Sequence, residues 1–328
     1  MPVVDTSRLM VVAFLVVALY ASAGLFLLRA VLRALARRQG ADVRKPAPGR
    51  IRVWLERGVM GVGALGLLCL PYGWFVEPYW PQVERVRIET AKLAPGTGPV
   101  RLVLISDTHC DSVERVEPRV PDLVRELKPD VIVFAGDALN SEEALPVFRK
   151  LATRLAAIAP TYSVRGNWEV WWFPHLDVAA GTGMVQLDGD AVPIRARGAE
   201  IWLGGVAVQN QRGVASALKK TTAGKFTVLA HHYPESAPGA IEKGADLVLS
   251  GDTHGGQVRL PLIGALVRIT RGKTGEYYDI GLHRIGEGWL YVNRGLGMEG
   301  GRAPRVRFLC RPEVTLIEIV PGDSSRDG

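Results

Sequence analysis

Beyond about residue 80, apolar positions fall into short, near-continuous runs rather than helical stripes, and four of these runs end alike. Arg101–Ile105 (RLVLI) runs into Ser106, Asp107, Thr108 and His109, and Val131–Ala135 (VIVFA) into Gly136 and Asp137. Thr161–Val164 (TYSV) is followed by Gly166 and Asn167, and Asp246–Leu249 (DLVL) by Ser250, Gly251, Asp252, Thr253 and His254. Runs this short and this rich in Val, Ile and Leu predict strands buried on both faces. Between them, Pro118–Leu127 and Pro146–Ile158 read as helices with proline near the first turn. They fill the connections that right-handed crossovers require. An edge strand is expected over 83–90, then a loop over 91–99 (AKLAPGTGP).

The first eighty residues follow another pattern. Leu9–Leu28 is an unbroken apolar run long enough to cross a bilayer, and Gly58–Val76 is a second, interrupted by Pro71. Trp74, Tyr79 and Trp80 lie at its far edge, where an aromatic belt is expected. The expected organisation is a membrane anchor over 1–81 with spans at 9–28 and 58–76, a domain over 82–320, and a disordered tail over 321–328. The roughly 240 residues after the hairpin suffice for one large domain with its own core.

Charge sharpens this picture. Between the spans stand Arg29, Arg33, Arg37, Arg38, Arg44, Lys45, Arg50, Arg52 and Arg57 against only Asp42 and Glu56, an excess of +7. That equals the net charge of the whole chain, so the remainder is balanced and the basic composition gives no argument for nucleic-acid binding. The positive-inside rule makes the loop cytoplasmic and puts the large domain outside the inner (cytoplasmic) membrane of a multi-pass protein. A cleaved signal peptide would carry its basic cluster before the apolar run, not after it. The rival reading, a re-entrant second segment, leaves the domain in the cytoplasm. The three cysteines form no framework: Cys69 lies in the second span, and nothing in the spacing of Cys110 and Cys310 requires a bond.

In open α/β sheets, functional residues gather beyond the carboxyl ends of strands. One Asp or Asn there only starts a turn; four strand ends carrying Asp, His or Asn point to metal. Carboxylate, imidazole and amide together suit Mn, Zn or Fe, and Mg less well. The set contains no cysteine, which argues against a structural thiolate zinc site. It is too large for one ion, whereas two ions sharing a carboxylate can clamp the attacking and leaving oxygens of a phosphoryl displacement.

The order D-x-H, G-D, G-N, a lone His and G-x-T-H resembles the calcineurin-like metallophosphoesterases, in particular their membrane-attached bacterial branch. The match runs from about Val83 to Val320. It includes SDTH at 106–109, GD at 136–137, GN at 166–167, GDTHGGQ at 251–257, an RGxxxGxYY-like stretch at 271–278 and YVNRGLG at 291–297. The resemblance implies an α/β fold, a four-layer αββα sandwich, here preceded by the transmembrane hairpin. It implies two divalent ions, Mn foremost, with Zn or Fe as options. Asp107, His109, Asp137 and His254 would hold the first; Asp137, Asn167, a histidine of FTVLAHHYP and Asp252 the second. Strand register favours His231 for that histidine, whereas the usual H-x-P spacing selects His232. Asp137, Asn167 and His254 would be the central catalytic residues.

Two positions depart from the family pattern. Asp252 stands where a histidine is usual; a carboxylate still ligates, favours harder ions such as Mn, and adds negative charge that weakens the pull on an anionic substrate. Trp168 stands where a histidine usually assists the leaving group. His175 is a candidate substitute, and Trp168 with its aromatic neighbours a candidate apolar wall beside the substrate. The implied reaction is attack of a metal-bound hydroxide on a phosphoester or diphosphate of a small-molecule or lipid-linked substrate, near the bilayer held by the hairpin. The alternative is a weakly active or inactive metal-binding membrane scaffold of the same fold.

Overall fold

The computed structural model describes residues 3–38, 49–210, 212–270, 278–300 and 305–322. The stretch 271–277 and the tail from 323 lie outside the described residues.

A short strand, β1 (Val3–Asp5), precedes two long helices, α1 (Ser7–Arg38) and α2 (Arg50–Phe75). At 1.5 Å per residue these are about 48 and 39 Å long, more than a hydrocarbon core needs. Their apolar side chains point outward: Phe14, Leu15, Leu65 and Leu68 are all exposed. Both helices are long and apolar enough to cross a membrane. They pack on each other where a small residue, Gly63, meets Ala23 and Tyr20.

The rest of the chain folds through β2 (Gln82–Thr90), β3 (Val100–Ile105), α3 (Val120–Leu127), β4 (Val131–Phe134), α4 (Leu145–Ala156), β5 (Thr161–Ser163), α5 (Asn167–Trp171) and β6 (Val185–Gln186). It continues with β7 (Asp190–Ala196), β8 (Ala199–Val206), α6 (Gly213–Lys219), β9 (Phe226–His231), α7 (Ala237–Glu242) and β10 (Leu247–Ser250). Three short strands follow, β11 (Arg259–Leu260), β12 (Gly264–Ala265) and β13 (Arg268–Thr270), then β14 (Gly281–Ile285), β15 (Gly288–Val292) and β16 (Glu313–Pro321).

Two six-stranded sheets result, ordered β2-β16-β3-β4-β5-β6 and β14-β15-β10-β9-β8-β7. The last strand inserts between β2 and β3, parallel to the first and antiparallel to the second. Alternation along β3 explains the layering. Leu102 and Leu104 pack with Ile201, Val228 and Leu249 of the other sheet. Val103 and Ile105 face the opposite way, onto Val120, Val124, Phe148 and Leu151 of α3 and α4. In the second sheet Leu229, Val248 and Leu290 lie under Ala217 of α6 and Ala240 of α7. The order is therefore helix, sheet, sheet, helix, as expected. Both faces of each central strand are covered, so the strands read as continuous apolar runs.

The hairpin is tied to this body at both open ends. β1 pairs antiparallel with β13, and Arg8 at the start of α1 donates to the carbonyl of Ile263 at 2.7 Å. At the end of α2, the Arg307 N–H donates to the Gly73 carbonyl at 3.0 Å. Buried Glu77 accepts the backbone N–H groups of Leu309, at 2.8 Å, and Cys310. Cys110 and Cys310 are both buried free thiols.

Candidate metal centre

The carboxyl ends of β3, β4 and β5 in one sheet and β9 and β10 in the other converge on one buried cluster. Asp107 and His109 follow β3, Asp137 follows β4, Asn167 opens α5 after β5, His232 follows β9, and Asp252 and His254 follow β10. All seven are buried. Five of them, Asp107, His109, Asp137, Asp252 and His254, have φ between 37° and 68°. That left-handed region is uncommon for residues with a Cβ and costs about 1–3 kcal/mol each, so it persists where the fold over-determines it, most often at functional sites. Glycines beside them permit the approach. A Cβ on Gly251 would collide with the Asp107 carboxylate, and one on Gly166 with that of Asp137.

Metal-ligating atoms of Asp107, His109 and His254 lie within 4.8 Å of one another, and so do those of Asp107, Asp137 and His232. Asp107 is common to both groups, and Asp137 of the second also reaches toward the first: its Oδ2 is 3.5 Å from His109 Nε2 and 3.3 Å from His232 Nε2. His254 Nε2 is 3.5 Å from Asp107 Oδ1, and His232 Nε2 is 3.6 Å from Asp252 Oδ1. Burial raises the Asp107 carboxyl to about 7, although His232 opposes the shift. Burial would raise Asp137 too, but His232 and His109 hold it well below the usual carboxylate range. Carboxylates gathered in so little space need positive charge among them.

The chemistry of the donors fits divalent ions. His109 Nδ1 lies 3.0 Å from Asn140 Oδ1, and His232 Nδ1 2.7 Å from the Ala135 carbonyl. Each oxygen takes an Nδ1 proton, which leaves Nε2 to turn inward as a lone-pair donor. Those two Nε2 atoms, His254 Nδ1 and Asn167 Oδ1 are buried and make no hydrogen bond among the described residues. Buried polar atoms are rarely left so; Nε2 of His109 and of His232, which both face Asp137 Oδ2, fit the role of lone-pair donors to a cation.

His231 is not brought into either group. Its Nδ1 faces the backbone of Tyr233, whose N–H lies 3.1 Å away, and burial lowers its pKa to about 4. His175 sits on an exposed loop with Nε2 3.0 Å from Glu142 Oε1. Trp168 does border the cluster: its ring meets His109 edge-on at 4.8 Å between centroids, and its backbone N–H donates to Asp137 Oδ1 at 2.9 Å. Trp171 and Trp172 are exposed, while Phe173 is buried in the core.

Sequence reasoning missed the supports. Glu169 accepts backbone N–H groups of Asp137, Ala138 and Gly166 and so locks the Asp137 loop. Asn140, besides holding the His109 ring, donates to the carbonyls of His109 and Met298. Fully buried Arg307 donates to the carbonyls of Arg294, Gly295 and Gly297, and the Gly297 N–H donates to the Asp107 carbonyl at 2.7 Å. Asn293 accepts from Ser106 Oγ at 2.9 Å. The signals were present, Asn140 three residues after Asp137 and Glu169 two after Asn167, but each type also suits an ordinary turn or cap.

Residues 100–256 match the calcineurin-like phosphoesterase family. A metallophosphoesterase of Aquifex aeolicus is 31% identical over 262 residues, which cover 74% of this chain and 94% of that protein. The chain belongs to the calcineurin-like phosphoesterases. Two further members of this metallophosphoesterase family are similar along most of their length. YkuE of Bacillus subtilis is 28% identical, covering 80% of this chain and 95% of its own. Phosphodiesterase YaeI of Escherichia coli is 29% identical, covering 76% and 92%. Metallophosphoesterases bind two divalent metals and hydrolyse phosphoester bonds, and the cluster supplies candidate ligands for both ions.

Proposed function

We propose that this chain is a membrane-anchored, manganese-preferring phosphoesterase acting on a substrate at the bilayer surface. The observation that carries the reading is the buried ring of Asp, His and Asn donors with inward atoms lacking hydrogen bonds. Asp107, His109, Asp137 and His254 would hold one ion, and Asp137, Asn167, His232 and Asp252 the other. When bound, such ions supply positive charge to phosphoryl oxygens and make water acidic enough to deprotonate near neutral pH. Asp252 in place of an imidazole biases the pair toward harder ions.

The chain's own contribution is placement. Asn140 and the Ala135 carbonyl fix two imidazole tautomers, Glu169 fixes the backbone that carries Asp137, and Trp168 walls one side with a ring too weakly acidic to protonate a leaving oxygen. Good leaving groups therefore turn over best. The Escherichia coli relative's designation as a phosphodiesterase supports diesters among the substrates.

The hairpin supports membrane attachment, because both its open ends are tied to the sheet domain. With the basic 29–57 loop cytoplasmic, that domain lies outside the inner membrane. A reporter active only outside the membrane is expected to work when fused after Pro81 and to stay silent near Gly49. The opposite pattern moves the enzyme to the cytoplasm.

Metal analysis tests the centre. Full-length chain supplied with Mn is expected to carry two ions and to hydrolyse bis(p-nitrophenyl) phosphate. Asp137→Ala loses both ions and Asn167→Ala mainly one. A wild-type chain that keeps no divalent ion after Mn is supplied ends the dinuclear reading.

A further inference from the structure

A cleft of about 460 Å³ lies between the last turn of the membrane hairpin and the loop that carries His109. Its lining joins the two: Trp74 and Tyr79 from the end of α2 and the residues just beyond, and Asp111, Arg115, Met298 and Arg305 from the sheet domain. The Arg115 guanidinium donates to the His109 carbonyl at 2.9 Å. Asn140, which holds the His109 ring, also donates to Asp111 and to the Met298 carbonyl. One wall of the cleft is therefore the back of the metal centre.

The opposite wall is built for the bilayer surface. Trp74, Tyr79 and Trp80 are exposed aromatics at the end of a spanning-length helix, where such rings sit at headgroup level. Cations collect around them. Arg119 donates to the Tyr79 carbonyl, and Arg311 donates to that of Trp80 while stacking on its ring at 4.0 Å. Within the cleft, Arg115 and Arg305 share the single carboxylate of Asp111. The other lining acid, Glu114, is taken by Lys150 at 2.9 Å. The lining is balanced, two guanidinium groups against two carboxylates, and with Glu114 taken by Lys150, Asp111 is the one lining carboxylate that Arg115 and Arg305 share. Guanidinium groups at membrane level suit phosphate oxygens, which they bind in a planar fork.

We infer that this cleft seats the phosphate-bearing headgroup of a lipid in the same bilayer, beside the metal centre. The inference rests on the phosphoesterase reading for its chemistry and adds the substrate class: a membrane lipid ester whose acyl chains stay beside α1 and α2. The juxtaposition that carries it is Trp74 and Tyr79 facing Arg115 and Arg305 across one opening, with His109 behind. An anchor serving only to tether would not need to form half of a cleft backed by a ligand-bearing loop.

Photo-crosslinking tests this without turnover. Full-length chain is placed in phosphatidylcholine nanodiscs containing phosphatidic acid with a photoreactive group at the headgroup. Labelling is expected within 111–115 or at 305, and soluble glycerol 3-phosphate at equal concentration does not compete. Arg305→Gln and Trp74→Ala each lower it about tenfold, the scale of one charge-assisted contact or one buried aromatic. The same discs are assayed with bis(p-nitrophenyl) phosphate, which reports folding and the metal centre. Labelling that is absent, that falls elsewhere, that is equal in both variants, or that glycerol 3-phosphate displaces would overturn the lipid cleft. Labelling as expected, with no hydrolysis of the soluble ester by wild type, would uphold the cleft and remove the phosphoesterase reading.

Discussion

The carboxylate of Glu169 accepts the backbone N–H of Asp137 at 3.0 Å. A side chain on the helix after β5 thus fixes the residue whose carboxylate lies between His109 and His232. Burial, and then the neighbouring Asp137 charge, raise the Glu169 pKa, while backbone N–H groups pull it down. Glu169 touches no ligand atom of the imidazoles, so its influence passes through the backbone of Asp137.

Glu169→Ala is therefore expected to weaken Mn binding by about ten- to a hundredfold, the usual cost of losing a group that orients a ligand. Equilibrium titration with Mn checks it, with circular dichroism confirming the fold. Wild-type affinity in the variant would reduce Glu169 to a helix cap.

The adjacent histidines should separate cleanly. His232→Ala removes an inward Nε2 and is expected to lower metal content and cut activity about a hundredfold. His231→Ala leaves both ligand groups intact, and its metal content should match wild type. Elemental analysis of the two purified variants decides; the reverse result would mean that the strand continues one residue differently from β9 as described.

The two departures from the family pattern give opposite expectations. Asp252→His should retain activity and shift metal preference from Mn toward Zn, because imidazole suits the softer ion. Trp168→His restores a group able to protonate a leaving oxygen, help typically worth about a hundredfold or more. The gain should appear with alkyl phosphates and be small with aryl esters. Parallel assays of both ester types with Mn and Zn test both; a Trp168→His enzyme unchanged on alkyl esters would show that leaving groups are handled elsewhere.

Metal loading should release protons. Burial works against charge on His232, but Asp137 and Asp107 beside it raise its pKa well above the ordinary imidazole value. A raised pKa means that the metal-free site holds its proton through neutral pH, and that proton must leave before Nε2 can ligate. Mn affinity should therefore rise as pH rises toward the elevated pKa and fall in acid. Calorimetry in two buffers of different ionisation heat reads the release; identical heats in both would contradict it.

The sheet-forming half of this reading was legible because β3, β4 and β10 are covered on both faces, which turns each into an apolar run ended by a ligand. The insertion of β16 between β2 and β3 was not legible, since nothing local in EVTLIEIVP records a pairing more than two hundred residues back. Between His231 and His232 the sequence left the choice open, and the structure groups His232 with Asp107 and Asp137. β9 reaches His231, and register along the strand favours it, but the chain turns immediately afterwards and brings the next ring inward. Asn140, Glu169 and Arg307 were invisible for another reason. Their work is done on backbone amides and carbonyls of distant loops, and such partners leave no spacing in the sequence.

The hold of Glu77 on Leu309 and Cys310 bears on how the enzyme can be handled outside a membrane. Cys310 Sγ in turn touches the carbonyl of His254 at 3.3 Å, so the last turn before the domain is separated from a candidate ligand by one residue. A soluble version cut at the apparent boundary, after Pro81, would discard Glu77 and leave two backbone N–H groups unsatisfied, at about 1–3 kcal/mol each where they stay buried. The workable cut lies upstream of Gly73. It keeps a stub of apolar helix that detergent must cover, because that stub belongs to the wall of the enzyme as much as to its anchor.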